Sequence, residues 1–79
     1  MTTHLHLYST SHCHLCEQAE AILVELALSL DLSWTVIEIS DDANLLSRYE
    51  HSIPVLARLD TCQEIAWPFN KDTVLDFIK

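Results

Sequence analysis

The chain of 79 residues contains no glycine. Glycine adopts positive φ angles more readily than any other residue, so turns that need this conformation must here use something else. Asn and Asp tolerate it best among the remaining residues. We therefore expect Asp31, after the first predicted helix, and Asp60, in a later predicted turn, to supply positive φ angles.

Basic residues and long hydrophobic runs are also scarce. Four Lys and Arg oppose twelve Asp and Glu, for a net charge of -8, which repels nucleic acid phosphates and anionic lipids. No apolar run approaches the ~18 residues of a membrane span. The segment Met1 to Tyr8 lacks the basic and apolar regions of a signal peptide. We expect a cytoplasmic protein with neither nucleic acid nor membrane partners.

Cysteine occurs three times, which cannot give a fully paired disulfide framework. Reducing conditions in the cytoplasm also disfavour structural disulfides, so thiol chemistry or metal binding remains as a role for these residues. The length allows one hydrophobic core, and we expect residues 1–79 to form a single domain that acts as a monomer.

The spacing of hydrophobic residues predicts four strands and three helices. The strands are expected over 4–8, 33–39, 54–60 and 63–67, and the helices over 15–30, 42–49 and 71–78. Ser40 and Asn70 are predicted helix caps. The order β-α-β-α-β-β-α predicts an α/β fold with a four-stranded mixed sheet, whose first two strands are parallel.

The hydrophobic residues of the first two predicted helices indicate which faces pack against the rest of the protein. In the first, Ala21, Val24 and Leu28 form a second apolar stripe, so this helix is either unusually enclosed or offers a partner surface. In the second, the predicted inner face is formed by Leu45, Leu46 and Tyr49.

The motif Cys13-His14-Leu15-Cys16 lies where the first loop meets the first predicted helix. This places Cys13 near the N-cap and Cys16 in the first turn, with both sulfurs within bridging distance. Unsatisfied backbone N–H groups and the helix dipole favour a thiolate there. Cys13 is thus the expected nucleophile and Cys16 the resolving cysteine, while His12 and His14 are expected to modulate their charge.

The segment Leu7-Tyr-Ser-Thr-Ser-His-Cys-His-Leu-Cys-Glu17, followed later by Ile53-Pro54-Val55, resembles the glutaredoxin-like branch of the thioredoxin superfamily. Over nearly its whole length the chain is similar to small bacterial glutaredoxin-like proteins. The resemblance implies a thioredoxin-like fold and thiol-disulfide oxidoreductase activity on protein or small-molecule disulfides. It also implies a cis Pro54 facing the dithiol, with the Ile53 backbone offering hydrogen bonds to substrate or glutathione.

The chain departs from dithiol glutaredoxins at two places. His-Leu replaces the usual Pro-Tyr between the cysteines, and Trp67-Pro68-Phe69-Asn70 stands where the glutathione-binding glycine pair is usual. Without glycine, close backbone approach is harder, and the negative charge does not attract a peptide with two carboxylates. We expect no resident cofactor, and the sequence leaves the reductant open between glutathione and a thioredoxin reductase-type system.

Two other functions remain as alternatives. One is a non-catalytic binding or adaptor module that keeps the fold. The other is a metal-binding protein that uses the segment rich in potential ligands, formed by His4, His6, His12, Cys13, His14 and Cys16. A second ligand pair at defined spacing is missing, so no metal ligand is assigned.

Three further features have simpler interpretations. Cys62 is interpreted as a tolerated small side chain in a turn. Glu38, Asp41 and Asp42 are interpreted as a strand-end charge and helix-start acids. Trp67 and Phe69 fit a substrate platform and a core contact equally well.

Overall fold

The structure is a computed structural model and describes residues 3–79. Its sheet contains the strands β1 (Thr3–Ser9), β2 (Leu32–Glu38), β3 (Val55–Arg58) and β4 (Glu64–Ala66) in the order β2-β1-β3-β4. β1 and β2 are parallel, β3 is antiparallel to β1, and β4 is antiparallel to β3. The predicted mixed sheet is confirmed.

Three helices flank the sheet, as predicted: α1 (His14–Ala27), α2 (Ala43–Tyr49) and α3 (Lys71–Ile78). Asn70 caps α3, since its Oδ1 accepts a hydrogen bond from the Thr73 backbone N–H at 2.9 Å. The predicted Ser40 cap of α2 is wrong. Residues Ile39–Asp41 form a short 3-10 turn, so the helix begins later and the Asp42 carboxylate caps it instead.

The main core lies between one face of the sheet and the helices α1 and α3. Alternation along β1 buries Leu5 and Leu7 on this face, and the apolar face of α1 buries Leu23 against them. The other fully or nearly fully buried members of this core are Ala19, Leu26, Leu32, Leu56, Phe69 and Val74. A continuous core of this kind fixes where α1 begins relative to the end of β1.

A smaller cluster covers part of the opposite face of the sheet, under α2. Tyr49 is buried there and stacks on Tyr8, with 4.3 Å between ring centroids. Leu45 is half-buried, but Leu46 is 38% exposed, so the prediction that it belongs to the inner face is wrong. A helix of seven residues turns only a narrow face to the sheet, and Leu46 lies at its margin.

The second apolar stripe of α1 faces solvent. Val24 is 52% exposed and Leu28 is 84% exposed, and Ala21 is exposed as well. The alternative of an unusually enclosed helix is therefore wrong. The helix also ends at Ala27, before the last apolar residue of the predicted pattern.

Positive φ angles occur at His12 (63°) and Cys62 (59°), not at the predicted positions Asp31 and Asp60. Cys62 lies in the β3–β4 loop, two residues before β4 begins, and its backbone N–H donates to the Arg58 carbonyl at 3.1 Å. Hairpin loops often place their left-handed residue near the start of the second strand. The position in the loop, not the residue type, therefore decides that Cys62 and not Asp60 has the positive φ angle.

No helix within residues 3–79 is both long enough and apolar enough to cross a membrane.

Candidate redox site

Strand direction brings four chain segments to one end of the sheet. Ser9 at the end of β1 pairs with Glu38 at the end of the parallel β2. β3 runs the opposite way and begins with Val55, opposite Tyr8, while β4 returns to end beside Val55. The dithiol loop, the end of β2, Pro54 and Trp67 therefore share this end.

Cys13 is the N-cap of α1, in extended conformation with φ -100° and ψ 105°. Its Sγ accepts a hydrogen bond from the Cys16 backbone N–H at 3.2 Å, a place usually taken by an oxygen of Ser, Thr, Asp or Asn. The two sulfurs lie at disulfide distance, and the Cα atoms are 5.2 Å apart. Cys16 is only 4% exposed, whereas Cys13 is half-buried. The predicted placement of both cysteines at the helix start is confirmed.

A cleft of about 100 Å³ opens beside the cysteine pair. Leu7 and Val36 give it an apolar wall, and Glu17 and Glu20 give it two carboxylates. No Lys or Arg of the described chain lines it. Glu20 is held in place, because its carboxylate accepts a hydrogen bond from the Trp34 indole N–H at 3.0 Å. A thiol or disulfide entering this cleft meets negative charge.

Glu38 connects β2 to the loop that carries the dithiol. Its Oε1 accepts hydrogen bonds from the backbone N–H and the Oγ of Ser11, both at 3.0 Å, and its Oε2 accepts one from the Ser40 N–H at 3.2 Å. These bonds, first of all the one from the Ser40 backbone, lower the pKa of Glu38 to about 2. The carboxylate thus stays ionised at neutral pH. The sequence alone indicates only a strand-end charge at Glu38, because no local pattern predicts a contact between residues 27 positions apart.

The two candidate modulating histidines are placed differently. His12 lines the cleft together with Cys13 and has the left-handed backbone noted above. The His14 side chain is 95% exposed, and its Nδ1 lies 3.5 Å from the Glu17 carboxylate. Both histidines are exposed to water, which screens their charges, and His12 differs from His14 in lining the cleft itself.

The Ile53–Pro54 peptide bond is cis, as the resemblance implies, and Pro54 is fully buried. The Pro54 carbonyl accepts a hydrogen bond from the Trp67 N–H at 3.0 Å. The Ile53 N–H donates to the Tyr49 carbonyl at 3.1 Å, at the end of α2. This bond occupies the N–H of Ile53, one of the two backbone groups that the resemblance offers to a substrate.

None of the remaining candidate residues, Trp67, Phe69, Cys62 and His4, lines the cleft beside the cysteine pair. Phe69 is buried, and Trp67 packs edge-on against it at 5.0 Å while half-buried itself. Cys62 is a free, exposed thiol in the hairpin turn. Both ring nitrogens of His4 lie within hydrogen-bond distance of the Ser33 and Thr35 hydroxyls. Within the part of the chain that the structure describes, no group of three or more His, Cys, Asp or Glu is arranged to hold a metal ion.

Comparison with known proteins is consistent with this geometry. The X-ray structure of XcR50 from X. campestris matches with a TM-score of 0.77 and 34% sequence identity, covering 92% of each chain. The solution NMR structure of Ne2328 from Nitrosomonas europaea matches with a TM-score of 0.86 and 25% identity, covering 100% of this chain and 94% of that one. No curated protein matches the chain.

The family comparison covers nearly all of the sequence. The model of the glutaredoxin-like domain (DUF836) matches residues 4–79. Together with the mixed sheet, the three helices and the structural matches, this shows the thioredoxin-like α/β fold and supports a role of the thiol-redox type. The chain belongs to the glutaredoxin-like domain (DUF836) family.

Proposed function

We propose that the protein is a thiol-disulfide oxidoreductase in which Cys13 attacks and Cys16 resolves. The observation that carries this proposal is the N-cap position of the Cys13 sulfur, with the Cys16 N–H directed at it and Cys16 behind it. A hydrogen-bond donor and the positive end of a helix stabilise a thiolate relative to a thiol. The more exposed of the two sulfurs is thus the one that the helix activates.

The reaction consists of two thiol-disulfide exchanges. The Cys13 thiolate attacks one sulfur of a substrate disulfide, forms a mixed disulfide and releases the other sulfur as a thiolate. Cys16, as thiolate after losing its proton to solvent, then attacks the Cys13 sulfur and releases the second substrate thiolate. Two electrons pass to the substrate, and the Cys13–Cys16 disulfide is the oxidised product. An external thiol or dithiol reductant returns the pair to its reduced form.

Protein disulfides and small-molecule disulfides are the proposed substrates, and no resident cofactor is required. Glutathione is disfavoured as the dedicated reductant by two features of the chain. The Ile53 amide already bonds within the chain, and the cleft beside Cys13 carries the carboxylates of Glu17 and Glu20. We propose a reducing cytoplasmic setting, in which the monomer is recycled by a partner of the thioredoxin reductase type.

The test is reduction of insulin disulfides with dithiothreitol as the electron source. We expect the wild-type protein to accelerate insulin precipitation, and Cys13→Ser to be indistinguishable from dithiothreitol alone. Cys62→Ser is the matched control, because it removes an exposed thiol outside the site and should keep full activity. Equal rates for wild type and Cys13→Ser would end the proposal.

The adaptor alternative predicts a different result. An adaptor would retain a protein partner when both Cys13 and Cys16 are replaced by Ser, whereas an oxidoreductase would lose its covalent substrate complexes. Retention of one partner by the double variant, together with an inactive wild-type protein, would favour the adaptor.

A further inference from the structure

We propose that Glu38 is a positioning residue that holds the Cys13 sulfur in place at the start of α1, acting through Ser11. This inference rests on the proposed function, because it concerns how the nucleophile of that reaction is held. The hydrogen bonds of the Glu38 side chain go to Ser11 and Ser40 and to neither cysteine. It acts on the loop that delivers Cys13 to the helix.

The chain path shows how short this connection is. Ser9 ends β1 and pairs with Glu38 across the sheet, and the chain then leaves the sheet for the dithiol loop. The Glu38 carboxylate binds both the backbone and the side chain of Ser11. Only His12 separates this anchored residue from Cys13. Cys13, the N-cap of α1, therefore lies two residues after a fixed point of the loop.

His12 makes the anchor mechanically important. Its φ of 63° lies in the left-handed region, which a non-glycine residue occupies only when the surrounding structure imposes it. Anchoring at Ser11 on one side and the helix start at Cys13 on the other fixes the ends of this residue. Without the anchor, relaxation of His12 would turn Cys13 away from the Cys16 N–H.

Charge alone would give Glu38 the opposite effect on Cys13. A carboxylate near a thiolate disfavours the ionised sulfur, as the cleft residues Glu17 and Glu20 also do. The histidines on this loop and helix start, His12 and His14, act in the other direction when protonated. Removing the charge of Glu38 would therefore increase the thiolate fraction, whereas losing its anchor would decrease it. This difference in sign makes the two roles separable.

The experiment measures the titration midpoint of the reduced Cys13 thiol by thiolate ultraviolet absorbance, in a Cys16→Ser, Cys62→Ser background. In Glu38→Gln one of the two acceptor oxygens becomes an NH2 group. The side chain can then no longer accept hydrogen bonds from Ser11 and from Ser40 at the same time. We expect the midpoint to rise by roughly half a pH unit, which is about threefold less thiolate below the midpoint. Ser11→Ala removes one bond to Glu38 and changes no charge, so it should shift the midpoint in the same direction by less.

Two controls complete the design. Glu17→Gln removes a carboxylate that lines the cleft without holding the loop, and it should leave the midpoint unchanged or lower it. Ser11→Ala combined with Glu38→Gln should shift the midpoint by less than the sum of the single shifts, because both changes weaken the same contact between Ser11 and Glu38. Thermal unfolding of each variant verifies that the domain is folded, and Ser11→Ala provides the test should Glu38→Gln not fold.

A lower midpoint in Glu38→Gln, or an unchanged midpoint in Ser11→Ala, would overturn the positioning role. These outcomes are distinguishable from failure of the proposed function, since the titration needs no disulfide substrate. A wild-type protein that reduces insulin while Ser11→Ala leaves the midpoint unchanged would refute only the positioning role. The expected shifts in a protein that reduces no disulfide would support the anchor and refute the oxidoreductase.

Discussion

The sulfur of Cys13 accepts a hydrogen bond from the backbone N–H of Cys16, and the two atoms lie 3.2 Å apart. The residue that resolves the mixed disulfide thus also supplies a donor to the nucleophile through its main chain. Replacing the Cys16 side chain leaves this N–H in place. The two functions of Cys16 can therefore be separated by mutation.

We predict that Cys16→Ser traps a mixed disulfide between Cys13 and its substrate. The nucleophile keeps its helix-cap environment, but no second thiol is close enough to release the bound half of the substrate. Intact-protein mass spectrometry after incubation with a small disulfide should show one adduct. Cys13→Ser should show none at this site, and a Cys62→Ser background removes the exposed thiol as an alternative point of attachment. An adduct that depends on Cys16 instead of Cys13 would reverse the assignment.

A buried leucine of α1 and the exposed leucine that follows the helix offer a matched test of the core. Leu23 is completely buried, while Leu28, just beyond the last helical residue, is 84% exposed. We predict that Leu23→Ala lowers the free energy of unfolding by about 2–5 kcal/mol, because it loses buried contacts and leaves a cavity. Leu28→Ala should change it by less than about 0.5 kcal/mol. Urea unfolding of the two variants measures both values, and similar losses would contradict the assigned orientation of the helix.

The sequence was informative where a signal lies within a few residues. The apolar spacing from Leu15 onward and the cysteine motif predict where α1 starts, and the residue type of Asn70 predicts that it caps α3. The predictions were wrong where the conformation of a residue depends on the three-dimensional path of the chain. The left-handed residues follow from the loop before α1 and the hairpin before β4, so they fall on His12 and Cys62.

The anchoring of Ser11 by Glu38 shows the same limit. β2 must first pair with β1 for the two residues to meet, and nothing in the residues next to Glu38 distinguishes an anchor from an ordinary strand-end carboxylate. The commitment of the Ile53 amide to Tyr49 is likewise hidden, because it depends on how α2 ends.

Tyr49 gives a prediction for alkaline conditions. Burial, reinforced by its hydrogen bond to the Glu64 carboxylate, raises the pKa of Tyr49 above the ordinary tyrosine value. The folded protein then holds the phenol proton more tightly than the unfolded chain does. This contribution to stability is complete below about pH 10, the unfolded value, and is lost as the pH rises above it.

The measurement is the urea midpoint of wild type and Tyr49→Phe from about pH 8 to about pH 11. Wild type should lose stability more steeply above about pH 10 than Tyr49→Phe, which has no phenol to ionise at this position. Tyr8→Phe serves as the control, since it changes the other ring of the stacked pair and leaves the bond to Glu64 intact. Parallel curves for wild type and Tyr49→Phe would show that ionisation of the Tyr49 phenol does not cause the loss of stability at high pH.

The charge of the cleft predicts which disulfides react fastest. Each of the four Lys and Arg side chains pairs with a carboxylate of the chain itself: Arg48 with Glu64, Arg58 with Asp60, Lys71 with Glu25, and Lys79 with Asp76. None of them lines the cleft beside Cys13, which contains Glu17 and Glu20. Positive charge on the chain is thus neutralised locally, while the carboxylates beside the nucleophile remain. Such a cleft raises the local concentration of cations.

We predict that the reduced protein reacts with cystamine, a dication, roughly tenfold faster than with dithiodiglycolate, a dianion, at low ionic strength. Single-turnover rates measure this preference, after each is divided by the rate of a neutral small thiol to remove intrinsic reactivity. Added salt should reduce the ratio, because the carboxylates are reached through water. Glu17→Gln should reduce it as well, whereas Asp31→Asn, the same charge change beside the start of β2 at the opposite end of the sheet, should reduce it less. A normalised ratio that neither salt nor Glu17→Gln alters would mean that the cleft carboxylates do not select the substrate.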